Sequence, residues 1–215
     1  GAFQFSAAFR HFPIGTIHIL VVDPGVGTNR LPILVVAPNA YFLCPANGIL
    51  SHCFFDAGSP SPQSKSFSAQ PVSPPHGWQA YHLTNQEYWR NPISNTFHGR
   101  DIFAPAAAYL SRGVPPNRMG TLIDHVQMLP IPLVASKEGR LVGTVLSVDR
   151  FGNLITNISA DLLAPYKSRI VIGIGGHRLH GLSTSYQDGT PLLAIIGSHG
   201  NLEIGFANGN AQTFL

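Results

Sequence analysis

Residues 16–22, ThrIleHisIleLeuValVal, make a continuous apolar run rich in β-branched side chains, and AspProGlyValGly at 23–27 ends it. A strand that is apolar at consecutive positions is covered on both faces, which is the pattern of a parallel sheet flanked by helices. In open α/β sheets, ligands bind at the carboxyl ends of strands. The loop 23–30 is therefore a candidate site on its position alone, with Asp23 and Arg30 flanking a run of glycines.

The surrounding pattern agrees with an α/β domain. AFQFSAAFRHF opens with Phe3, Ala7 and Phe9 or Arg10 at helical spacing and no capping residue in front, so the chain reads as beginning inside a domain. Short strands are predicted at Leu34–Ala37 and Tyr41–Cys44 around the turn Pro38-Asn39, and a short helix from Ile49 to about Phe55. A further helix is predicted from Asp101, with Pro105 in its first turn, Phe103, Ala107 and Leu110 on one face, and Gly113 as its stop. Residues 57–79, rich in Ser, Pro and Gln, read as a surface insertion, either a mobile loop or a lid touching substrate or a subunit.

Beyond Met128 the period changes. Val142, Thr144, Leu146 and Val148 alternate with smaller or polar residues, as do Ile170, Ile172 and Ile174, and Leu192 to Ile196 runs through a Gly-rich turn into Leu202, Ile204 and Phe206. The expected organisation is an N-terminal α/β domain at 1–127 with a mostly parallel sheet, a linker at 128–137, and a small all-β barrel or sandwich at 138–215.

Composition removes several function classes. Only 11% of residues are charged, and Lys plus Arg number 13 for a net charge of +3, dispersed along the chain. That leaves no basic track for a nucleic acid. No apolar run reaches the ~18 residues of a membrane span and no basic leader precedes one, so the chain reads as soluble and cytoplasmic. Cys44 and Cys53 are too far apart for a redox pair, which suits a reducing compartment. His177 and His180 have metal-like spacing beside Gly175-Gly176, but a solvent-facing hairpin accounts for them, and no metal is assigned.

Three segments concentrate the rare charges. VVDPGVGTNR carries Asp23 and Arg30; ThrPheHisGlyArgAsp (96–101) carries His98, Arg100 and Asp101; ValAspArgPheGlyAsn (148–153) carries Asp149 and Asn153. Each has a plain structural reading: a turn, an N-cap at Asp101 with Arg100 as its ion partner, and a polar β-turn.

Taken together with PANGIL (45–50), SNTFHGRDIFAPAAAYL (94–110), VDRFGNLITNI (148–158) and GSHGNLEIGFANGNA (197–211), these segments resemble, in family order, the adenosine-forming S-adenosyl-L-methionine (SAM) hydrolases. That family also contains the SAM-dependent fluorinases and chlorinases. The resemblance implies attack at the ribose 5'-carbon of SAM, release of methionine, and no cofactor beyond the substrate. It implies a water-handling set at Asp23, Arg30 and His98, and substrate contacts at Asp149, Asn153, Ser198, Glu203 and Phe206. It also implies a homotrimer, with the site between the first domain of one subunit and the β domain of the next.

The chemistry fits that inventory. A sulfonium leaves as a neutral thioether and needs no acid, whereas water, with a pKa near 15.7, needs a base and a positive charge near its developing hydroxide. Where fluorinases carry Tyr and an aromatic-Tyr-Ser run, this chain has Asp23 and Phe97-His98-Gly99, which favours hydrolysis over halide transfer. Departures are His199, at the position of an Arg that grips the methionine carboxylate, and Ala46, where the family reads Asp. A ThrAspPheGly-type ribose-binding segment is expected ahead of the point matching Gly1, and a final strand expected after Asn208-Gly209-Asn210 reads as cut off at Leu215. A non-catalytic SAM or adenosine sensor is the reading from a different class.

Overall fold

A computed structural model describes residues 1–62, 67–166, 169–188 and 191–215. They form two compact units, Gly1–Ile131 and Pro132–Leu215.

The first unit is built on a five-stranded sheet in the order β1-β3-β2-β5-β6, from β1 (Thr16–Ile19), β2 (Pro32–Val36), β3 (Ala40–Pro45), β5 (Gln79–Leu83) and β6 (Gly120–Ile123). The expectation of a mostly parallel sheet is corrected here. Only β1–β3 is parallel; β2–β3, β2–β5 and β5–β6 are antiparallel. Only residues 37–39 join β2 to β3, and a parallel connection needs a dozen residues or more. The apolar runs arise because both faces of this mixed sheet are covered. Ile33, Val35 and Phe42 pack with Phe5 and Phe9 of α1 (Ala2–Phe9) and Cys53 and Phe54 of α2 (Ser51–Asp56). Leu34 and Leu43 face the other way, onto Phe103, Ala106 and Leu110.

The strand predicted at 16–22 is shorter. After the Leu20 N–H to Leu43 carbonyl bond at 2.9 Å, pairing stops, and Val21 and Val22 are exposed. The Asn47 amide then donates to the Val22 carbonyl at 2.8 Å, turning the chain into the 23–30 loop. Segment 57–79 contains β4 (Gln70–Val72), which pairs with β7 (Val126–Met128), and Trp78, stacked on Phe42 at 5.7 Å. Residues 63–66 of that segment lie outside the described residues. A three-residue strand containing Pro71 is too short to show alternation.

The second unit holds a four-stranded antiparallel sheet, β10-β11-β15-β14, from β10 (Val145–Val148), β11 (Leu154–Ser159), β14 (Leu192–Ile196) and β15 (Asn201–Phe206). Two hairpins accompany it: β8 (Ala135–Lys137) with β9 (Arg140–Val142), and β12 (Val171–Ile174) with β13 (His177–His180). Leu154, Ala194, Leu202 and Ile204 are its buried centre. His177 and His180 lie on the β12–β13 hairpin, paired with Ile174 and Val171. The expected linker 128–137 has strand residues at both ends, and where a last strand was expected residues 211–214 form a short helix. No helix among the described residues is long and apolar enough to cross a membrane.

Candidate active site

Two loops of the first unit meet around one guanidinium. Arg30 donates from Nε to Asp23 Oδ1 at 3.0 Å and from Nη2 to Asp23 Oδ2, a bidentate fork that fixes both groups. The same Nη2 lies 2.7 Å from His98 Nδ1. The side chains of Arg30 and Asp23 are 9% and 4% exposed, so the pair is held out of bulk water. Phe103 lies under Arg30, its ring centroid 5.7 Å from the guanidinium carbon. Asp23 and Arg30, together with His98, 68 positions beyond Arg30 in the chain, thus form one connected cluster.

The turn that carries His98 differs from the predicted helix start. Residues Gly99–Phe103 form a wide π-type turn, closed by the Ala104 N–H to Gly99 carbonyl bond, before α3 (Ala104–Ser111) begins. Asp101 is not an N-cap. Its fully buried carboxylate accepts from Arg100 Nε at 2.7 Å, Arg100 Nη2 at 3.0 Å and the Ser94 backbone N–H at 2.8 Å. The Arg100 side-chain bonds and the Ser94 amide hold its pKa down at about 2. Arg100 also lies over the Phe97 ring at 4.8 Å. This clamp fixes the segment 94–101 on which His98 stands. Burial and then the Arg30 charge push the His98 pKa down, opposed by Asp23 and Asp101.

The second unit gathers another polar group. In the β10–β11 turn Asp149 Oδ1 accepts from the Phe151 and Asn153 backbone N–H groups at 2.8 and 2.9 Å, and Oδ2 accepts from the Asn153 amide at 2.9 Å. The register Leu154↔Ile204 sets Asn153 beside Gly205. Glu203, 5% exposed, accepts from the Tyr186 hydroxyl at 2.9 Å and lies 3.9 Å from His199 Nδ1. A β-carbon on Gly197 would sit 1.7 Å from Glu203 Oε1, so glycine there makes room for the carboxylate. Ser198 is exposed on the following turn, and Phe206 leans on Phe214 with ring centroids 4.6 Å apart. Tyr186 was missed by sequence reasoning. Burial, reinforced by the Glu203 bond, raises its pKa to about 12, so it stays a hydroxyl donor. Its one sequence signal was a Ser/Thr-Tyr pair ahead of Asp188.

With these two clusters in place, the comparisons with known proteins bear directly on the chain. The family models described as the SAM hydroxide adenosyltransferase N-terminal domain and C-terminal domain match residues 1–120 and 143–215. The chain belongs to the SAM hydroxide adenosyltransferase family. A curated relative from Thermus thermophilus, named (R)-S-adenosyl-L-methionine hydrolase, is 34% identical over 100% of this chain and 77% of its own length. One of the same name from Salinispora tropica is 33% identical over 100% of this chain and 76% of that protein. A fluorinase from Actinopolyspora mzabensis is more distant, 27% identical over 72% of this chain and 54% of its own. Among solved structures, an uncharacterized conserved protein from Thermotoga maritima superposes with a TM-score of 0.81, at 29% identity, covering 99% of this chain and 78% of that one. As a member of this adenosyltransferase family, the chain carries its Asp-Arg-His cluster wholly within the first matched domain and its Asp149, Asn153 and Glu203 group within the second.

Proposed function

We propose that this chain hydrolyses S-adenosyl-L-methionine to adenosine and L-methionine, and that Asp23, Arg30 and His98 handle the water. The carrying observation is the part-buried Asp23–Arg30–His98 cluster in a chain whose relatives, matched over its whole length, are named SAM hydrolases. Water attacks the ribose 5'-carbon, the C5'–S bond breaks with its electron pair going to sulfur, and methionine leaves as a neutral thioether. The proton lost by water goes to a base in the cluster, and Arg30 faces the charge that develops on oxygen. Asp149, Asn153, Ser198, Glu203 and Phe206 hold the amino-acid and adenine portions. By the relatives' name, the (R) configuration at sulfur is the preferred substrate form. The resemblance further supports a homotrimer in which a neighbouring subunit's β domain completes the site. Two buried free thiols, Cys44 and Cys53, suit the cytoplasm.

Halide transfer is disfavoured by residue identity: Asp23 and Phe97-His98-Gly99 stand where fluorinases carry Tyr and an aromatic-Tyr-Ser run. The deciding experiment incubates the protein with each sulfur epimer of SAM and follows adenosine by chromatography, with and without chloride. Adenosine release supports hydrolysis, a 5'-halo product supports halide transfer, and tight binding without turnover supports a sensor. Light scattering that reports an active monomer removes the trimer.

A further inference from the structure

We infer that His98 serves the reaction as a fixed hydrogen-bond donor through Nε2, and that Asp23 is the group that takes the proton from water. This rests on the hydrolase reading above and assigns roles within that cluster.

The argument begins with Arg30. A guanidinium has five N–H donors and no acceptor. With Arg30 Nη2 at 2.7 Å from His98 Nδ1, the imidazole nitrogen must be the acceptor. A neutral imidazole carries one ring proton, and the partner of one nitrogen decides where it resides. Here that places the proton on Nε2. The opposite tautomer would set two N–H groups against each other at 2.7 Å, as would the imidazolium. The charged groups that face the ring are Arg30 and Asp23 from the 23–30 loop and Asp101 from its own turn; burial and Arg30 together favour the uncharged form. His98 therefore has no free lone pair for a proton while Arg30 holds it.

Asp23 is differently placed. Each of its oxygens accepts one bond from Arg30, and an ionised carboxylate has about four acceptor sites, so two remain. A carboxylate is a weak base, and a weak base suffices here. As the C–O bond forms, the O–H of the attacking water becomes far more acidic, and its proton passes to Asp23 while the C5'–S bond breaks, leaving a neutral 5'-hydroxyl. His98 Nε2–H donates to the oxygen of that water and aims its remaining lone pair at carbon. The Arg30 contact sets the ring, while Phe103 under Arg30 and the Arg100–Asp101 clamp fix the guanidinium and the segment that carries His98.

Two independent readouts test this. Long-range ¹H–¹⁵N correlation spectra of the ¹⁵N-histidine-labelled protein at pH 7, with His98 assigned by its loss in His98→Gln, should show Nδ1 bare and Nε2 protonated. A protonated Nδ1, or an imidazolium, overturns the inference, and this measurement is valid whether or not adenosine is released. In turnover, His98→Gln supplies an amide N–H donor but no base, and should stay within about tenfold of the parent; His98→Ala and Asp23→Asn should each lose ~10²-fold or more. The acidic limb of the kcat/KM profile should persist in His98→Gln. If that variant is as slow as His98→Ala and loses its acidic limb, His98 is the base and the assignment falls.

Discussion

The backbone carbonyl of Asn95 stands 2.5 Å from the point where a β-carbon on Gly27 would lie. Gly27 also has φ +79°, a conformation that disfavours any side chain. The contact joins the loop of Asp23 and Arg30 to the segment that carries His98. Gly27→Ala should therefore push the two loops apart and lower kcat at least tenfold, because displacements of about 1 Å cost that much or more in a positioned site. Gly15→Ala is the control. At φ +84° with nothing within 4 Å it carries only the conformational cost of about 1 kcal/mol, and turnover should be unchanged. Equal kinetic losses in the two variants would show that loop contact is irrelevant.

Arg30→Lys keeps the charge and removes the fork. One ammonium cannot reproduce the parallel bonds to both Asp23 oxygens together with the bond to His98 Nδ1. Steady-state kinetics should show kcat reduced ~10²-fold with KM changed much less, since the lost interactions orient the water rather than the substrate. A variant with parental kcat would mean that charge alone is enough.

What the sequence made legible, and what it hid, follows from the range of the interactions involved. The elements around 32–45 and 104–111 and the β12–β13 hairpin were readable because turn residues, caps and apolar period are local. Strand direction was misread because the apolar run at 16–22 reports burial, and burial on both faces arises equally in a mixed sheet covered by α1, α2 and α3. The Asp23, Arg30 and His98 cluster came from family motifs; spacing alone does not bring together residues 68 positions apart. Asp101 was read as a cap because an acidic residue at a helix start usually is one. Arg100 was expected as its ion partner and is one, but the bond from the Ser94 amide belongs with a π-type turn that the local pattern does not announce. Tyr186 escaped because its partner Glu203 is 17 positions away on a different element.

The Tyr186–Glu203 bond is expected to matter for substrate affinity rather than chemistry. Tyr186→Phe frees one oxygen of a buried carboxylate, and Glu203→Gln removes the charge while keeping the shape. Both should raise KM for SAM about tenfold with kcat within about threefold, the pattern of lost ground-state binding. Isothermal titration with adenosine and with methionine separately would then show which portion of the substrate is affected. If neither KM nor either product's affinity moves, the pair is a packing feature of β15 alone.

Acid lability should come in two steps, each with a definite sign. His18, His52, His82 and His98 all have pKa values lowered by burial, so the folded state favours their neutral forms. Above the ordinary histidine pKa near 6.5 this costs nothing; as pH falls below it, the unfolded chain takes up protons first and stability declines. Asp101 and Asp188 act at lower pH. Each is held at about 2, Asp101 by the Arg100 side chain first and Asp188 by the Thr184 and Ser185 hydroxyls first. Their stabilisation is complete above the ordinary carboxylate pKa of about 3.9 and is lost as pH falls through about 2. Thermal unfolding followed by circular dichroism should give a plateau above pH 7, a decline from about 6.5, and a second decline below about 4. Asp101→Asn should flatten the lower step and leave the upper one, since its carboxylate no longer titrates. A melting temperature that rises between pH 7 and 5 would contradict the sign for the histidines, and an unchanged lower step in both Asp101→Asn and Asp188→Asn would remove the two carboxylates as its source.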